Sequence, residues 1–79
     1  MDEFTPTKTL DARGLQCPMP VVRTSQEIKS ISAGDILEVL ATDPGAVADV
    51  HAWCQSTGNE LLKMEKEDGV LKFYIRRVK

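Results

Sequence analysis

Pro18 and Pro20 stand one residue apart, directly after Cys17. Few backbone placements accept such a pair. Proline has a fixed φ and no amide N–H, so it breaks helix interiors and central strands. It fits a helix's first turn, where the N–H would lack an intrahelical partner anyway. A residue that precedes proline is itself pushed toward extended angles. The stretch "LQCPMP" at residues 15–20 therefore reads as a loop that ends in a helix N-terminus. The helix starts at Pro18 or, because Pro20 biases Met19 away from helical angles, at Pro20. Either way Cys17 sits at the mouth of the helix.

The rest of the chain arranges itself around that helix. Thr9 to Ala12 reads as a first strand with Leu10 pointing inward, and Gly14 permits a tight turn after it. The helix is expected to run from Pro18 to Ile31, with Val21, Val22, Ile28 and Ile31 at helical spacing and Arg23, Gln26 and Lys29 facing elsewhere. Gly34 stands where a C-terminal glycine belongs. Ile36–Ala41 is apolar on both faces apart from Glu38, as in a central strand. Thr42-Asp43-Pro44 marks a second helix start, with the proline in the first helical position. Val47, Val50, Trp53 and Cys54 line one face of that helix, and Gly58 ends it. Glu60–Lys66 is a third strand. Asp68-Gly69 is a hairpin signal, and it leads into a strand in which Leu71, Phe73 and Ile75 alternate with Val70, Lys72, Tyr74 and Arg76.

The order is β-α-β-α-β-β. Strands joined through a helix should be parallel with a right-handed crossover, and the last two form an antiparallel hairpin. Two helices cover only one face of a four-stranded mixed sheet. The expected fold is a two-layer α/β (α+β) sandwich whose other sheet face is partly open to solvent. At 79 residues the chain holds one thin core. Residues 1–8 are expected to be a flexible arm and residues 9–79 a single domain.

Composition narrows the function. A net charge of −2 and 5% aromatics disfavour a nucleic-acid polycation or a base-stacking platform. No apolar run is long enough to span a bilayer. The first residues lack the basic start and apolar centre of a secretory signal. The expected setting is cytoplasmic, where thiols stay reduced, and two cysteines make a poor disulfide framework.

Cys17 carries the chemistry. A helix N-terminus holds about half a positive charge. Thiols so placed drop from ~8.5 to roughly 3.5–7.5, and Arg13 would add to the effect if the loop folds back. Cys17 is thus expected to be thiolate-prone and accessible. The prolines remove amide donors, so the same turn makes a poor phosphate cradle. Cys-Pro-Met-Pro also has no resolving cysteine at redox spacing, which suits carriage of a group better than disulfide exchange.

The run "LDARGLQCPMP" resembles the N-terminal signature of the TusA/SirA family of small sulfur-carrier proteins, and "ATDPG", "GNEL" and the length agree with it. The likeness spans roughly residues 9–79. It implies that Cys17 accepts sulfane sulfur as a persulfide from a donor such as a cysteine desulfurase or a rhodanese-like protein. It implies transfer onward to an acceptor protein in tRNA thiolation, molybdenum-cofactor metabolism or sulfur oxidation. Pro18 and Pro20 carry over as the structural half of the motif. No cofactor, metal or membrane is implied.

Other residues have plainer readings. Cys54 packs in the core, or serves as a resolving thiol for Cys17. His51 is a solvated helix histidine, or a base for Cys17. Asp43 starts a helix, and Asp11 caps or braces the loop before Cys17. Arg13, Arg23 and Arg76 are candidate partner contacts. If they and Lys29, Arg77 and Lys79 gather near Cys17, they would steer an acidic partner. Two rival functions stay open, a regulatory or RNA-binding module and a thiol-redox protein using Cys17 and Cys54. A monomer is expected, because a carrier must expose its sulfur to successive partners.

Overall fold

The structure is a computed structural model that describes residues 5–79. Four strands form one sheet: β1 (Lys8–Ala12), β2 (Ile36–Ala41), β3 (Glu60–Glu67) and β4 (Val70–Arg76). Two helices, α1 (Met19–Glu27) and α2 (Ala46–Thr57), pack on one face. A 3-10 turn, Ile28–Ser30, extends α1. The order along the sheet is β1-β2-β4-β3, with β1 and β2 parallel and the other neighbours antiparallel. This is the expected mixed sheet and two-layer arrangement. β1 begins at Lys8, and Thr7 N–H donates to the Ile36 carbonyl at 2.7 Å. The sheet thus claims the end of the stretch expected as an arm, while residues 1–4 lie outside the described residues.

Strand alternation builds the core. Leu10 and Ala12, then Leu37, Val39 and Ala41, then Leu71, Phe73 and Ile75 all point at the helices and are buried. Burying apolar surface at roughly 25 cal/mol per Å² is what holds so small a sheet to its helices. The opposite face is mixed, with Ile36, Leu40, Val70 and Tyr74 half-buried among charged residues. Glu38 accepts the Thr9 hydroxyl at 2.9 Å, Lys72 pairs with Glu67 at 2.8 Å, and Arg76 pairs with Glu60. Asp68 and Gly69 both have positive φ, as the hairpin signal requires.

The helices depart in detail from the sequence expectation. The buried stripe of α1 and its 3-10 turn is Pro20, Thr24, Ile28 and Ile31, with Val21 half-buried and Val22 outside. Thr24 fits an apolar face because its hydroxyl donates to the Pro20 carbonyl at 2.7 Å, leaving its methyl to pack. α2 starts at Ala46, two residues after Pro44, because Asp43, Pro44 and Gly45 form a turn of their own. Gly58 ends α2 in the left-handed region, as expected.

Candidate functional site

Topology creates the site. The paired ends Ala12 and Ala41 release both strand-to-helix loops at one edge of the sheet. The N-termini of α1 and α2 are thereby brought side by side. Cys17 stands between them, one residue before the Pro18 cap of α1, and a Cβ built on Gly45, the cap of α2, would lie 3.5 Å from the Cys17 Cβ.

Side chains fasten this corner. Cys17 N–H donates to Asp43 Oδ2 at 2.6 Å, and Gly45 N–H donates to Asp43 Oδ1 at 3.1 Å. One carboxylate thus ties the two helix entries together. Gly14, at φ +81°, turns the chain, and its N–H donates to the Thr42 hydroxyl at 2.9 Å. Met19 N–H turns back to the Gln16 carbonyl at 2.8 Å, which takes one more donor away from any anion cradle. The Cys17–Pro18 peptide is cis. The sulfur is left exposed, whereas Cys54 is buried in the core.

The electrostatics reverse the sequence expectation. Cys17 Sγ donates to Asp49 Oδ2. That hydrogen bond, partial desolvation, and the charges of Asp49 and then Asp43 push the thiol above its ordinary value. Each helix end offers only about half a positive charge, and a full carboxylate charge in direct contact with the sulfur outweighs it. Arg13 does not help the thiol. Its guanidinium makes a two-point pair with Asp11, at 2.8 and 2.9 Å, and holds that carboxyl at about 2. Asp11 also accepts the Arg13 N–H at 3.1 Å, so it braces the turn.

The other predicted contacts separate. Arg23 is exposed on α1. Arg76 pairs across the sheet with Ile36, at the far end from Cys17, on the face away from the helices. Arg77 donates to the Ile31 and Lys79 carbonyls. Among the described residues, the charges that act on the Cys17 thiol are those of Asp49 and Asp43, not of an arginine or lysine. His51 Nδ1 contacts the Val47 carbonyl at 2.7 Å within its own helix, not Cys17.

Sequence reasoning missed Asp49 altogether. A carboxylate in a helix's first turn is ordinarily taken as a complement to the helix dipole. Only the crossing of α2 against the Cys17 loop turns it toward a thiol 32 positions earlier in the chain. From there a groove of about 350 Å³ runs between the helices, with Val21 on one side and Trp53 and Ser56 on the other. A second groove of about 310 Å³, between Pro44, Val47, Met64 and Leu71, has no cysteine, histidine or carboxylate in its lining.

This fold and corner match known proteins. The family model described as sulfurtransferase TusA matches residues 8–77, and the chain belongs to the TusA family. A Bacillus subtilis relative is 48% identical over 71 residues; the match takes in 90% of this chain and 38% of that protein. The chain likewise spans 39% of an Aquifex aeolicus relative, so both are considerably longer proteins. The sulfur carrier protein TusA of Pseudomonas putida is 40% identical over 77 residues, covering 98% of this chain and 96% of its own. The SirA-like protein of Desulfitobacterium hafniense shares the fold, with a TM-score of 0.79 at 24% identity over 91% of this chain and 99% of that one.

Proposed function

We propose that this protein is a sulfur carrier that holds sulfane sulfur as a persulfide on Cys17 and delivers it to an acceptor protein. The supporting observation is the placement of Cys17, exposed where both helix entries meet and fixed through its own N–H by Asp43. Fixing the backbone leaves the sulfur open to a partner while its position stays defined. Loading is a displacement on sulfur: Cys17 attacks the outer sulfur of a donor persulfide, and the donor leaves as a thiol. Unloading repeats the step with an acceptor thiol as the attacker. A cysteine desulfurase or rhodanese-like protein supplies the sulfur, and the acceptor serves tRNA thiolation, molybdenum-cofactor metabolism or sulfur oxidation in the cytoplasm. A Cys17–Cys54 redox pair is disfavoured, since Cys54 packs into the core face of α2.

The test is loading by a persulfide donor, followed by intact-mass and fragment analysis. One added sulfur on Cys17 is expected, with no loading of a folded Cys17→Ser variant. Loading that survives Cys17→Ser refutes the assignment.

A further inference from the structure

We propose that Asp49 is a catalytic residue of this site, its Oδ2 receiving the Cys17 proton as the sulfur attacks a persulfide. The inference deepens the sulfur-carrier reading and rests on it. Displacement on sulfur needs thiolate character at the attacking atom. The corner withholds that character at rest, because Asp49 is in direct contact with Sγ and Asp43 lies close by. Among the described residues no cation is among the causes acting on the thiol: Arg13 is committed to Asp11, and Arg76 and Arg77 are engaged at the far end of the sheet. His51 is turned into its own helix, so it does not serve as the base either. Among the described residues, the group in hydrogen-bond contact with the reacting sulfur is a carboxylate able to accept its proton, the geometry of an activated nucleophile and its base.

The step balances without an outside oxidant. Cys17 Sγ forms a bond to the outer sulfur of the donor persulfide while the bond from that sulfur to the donor sulfur breaks. The electron pair of the broken bond leaves on the donor sulfur. The Cys17 proton passes to Asp49 Oδ2 and from there, directly or through water, to the departing thiolate. The sulfane sulfur moves between two thiols with no net change in oxidation state. A thiol holds its proton far more firmly than a carboxylate does, so transfer takes place only as the new bond forms. The resting carrier is thereby a poor target for stray electrophiles.

Asp49→Asn keeps the shape and an acceptor but removes the charge and the basicity. Two rates on the full chain separate the roles, with the label located by mass spectrometry so that Cys54 is not counted. Iodoacetamide reports the thiolate at rest, and glutathione persulfide reports loading. The proposal expects opposite signs. Alkylation of Cys17 at neutral pH rises several-fold, because the charge that holds the thiol up is removed, while loading slows by about ten-fold or more, at or below the lower end of general-base effects. Asp49→Glu should restore part of the loading, and Asp49→Ala should repeat the opposite signs if the asparagine amide disturbs the loop. Loading that accelerates in step with alkylation overturns the proposal and leaves Asp49 a brake. Alkylation unchanged in both variants overturns the contact itself. If the wild type alkylates as expected but takes up no sulfur, the sulfur-carrier reading fails and the proton role falls with it, while the contact stands.

Discussion

The backbone N–H of Cys17 donates to Asp43 Oδ2 at 2.6 Å, so the residue that opens one helix is anchored by the loop that opens the other. That single carboxylate also takes the Gly45 N–H. Asp43→Ala should release the corner without unfolding the sheet. Amide exchange at Cys17 should quicken at least several-fold and loading should slow, while Asp43→Asn, which keeps one acceptor oxygen, should lie between. Bonds to Cys17 and Gly45 hold the Asp43 carboxyl below its ordinary value. The tie is therefore fully present above the ordinary carboxylate range, near pH ~4, and is lost as pH falls through the lower folded value. Amide shifts of Cys17 and Gly45 should move together in that acid window.

Acid should reveal Asp11 separately. Its carboxyl is held at about 2 by Arg13, from a usual 3.8. A lowered folded value stabilises the ionised fold above the unfolded value, and that contribution fades as pH drops toward 2. Carboxyl NMR should give a midpoint near 2 for Asp11, moving part of the way back in Arg13→Ala, which removes the guanidinium but keeps the backbone N–H bond. The pair is exposed, so the accompanying change in unfolding midpoint should be small.

At the alkaline end the open sheet face supplies the probe. Desolvation and a hydrogen bond to Glu38 push the Tyr74 phenol up to about 12. The neutral phenol is favoured in the fold, so this contribution is present below pH ~10 and is lost as pH rises through about 12. Ultraviolet titration of phenolate absorbance should show the late midpoint. Glu38→Gln should bring it earlier by removing the negative charge beside the phenol while keeping an acceptor.

Much of this architecture is legible in the sequence because local rules and tertiary needs agree there. The alternation of β4 and the Asp68-Gly69 turn announce the hairpin, and the proline pair announces the entry to α1. What escapes is whatever depends on how elements cross. Thr24 looks polar until its hydroxyl finds the Pro20 carbonyl one turn back. Asp49 looks like an ordinary first-turn acid until α2 lies against the Cys17 loop. The thiolate expectation failed for the same reason: a helix end can be read from proline placement, whereas a carboxylate arriving from another helix cannot. Arg76 lies away from Cys17 because strand β4 runs antiparallel to β2 and carries it to the far end.

Thr24 tests whether that hidden polar residue behaves as core. It is fully buried. Thr24→Ser deletes a packed methyl and should cost about 1 kcal/mol in urea unfolding. Thr24→Val keeps the shape and should cost less, since helix geometry gives the Pro20 carbonyl a backbone N–H of its own. Cys54 poses the complementary case. Cys54→Ser places a hydroxyl in the core, costing roughly 1–3 kcal/mol, and should leave loading on Cys17 unchanged.

Gly45 offers a test of the side from which a partner reaches the sulfur. Its φ of −63° and ψ of −19° suit any residue, so a side chain there brings no backbone strain. An added Cβ would meet Cys17 Cβ at 3.5 Å and Asp43 Oδ1 at 3.6 Å, ordinary contact distances. Gly45→Ala should therefore stay within about 0.5 kcal/mol of the wild type and load normally. Gly45→Leu carries the same Cβ, but its longer side chain covers the α2 side of Cys17. If donors approach over the Asp43–Gly45 turn, loading should slow several-fold with an unchanged unfolding midpoint. If loading by glutathione persulfide persists, the approach runs along the groove between Val21 and Trp53, and Trp53→Ala becomes the variant that changes it.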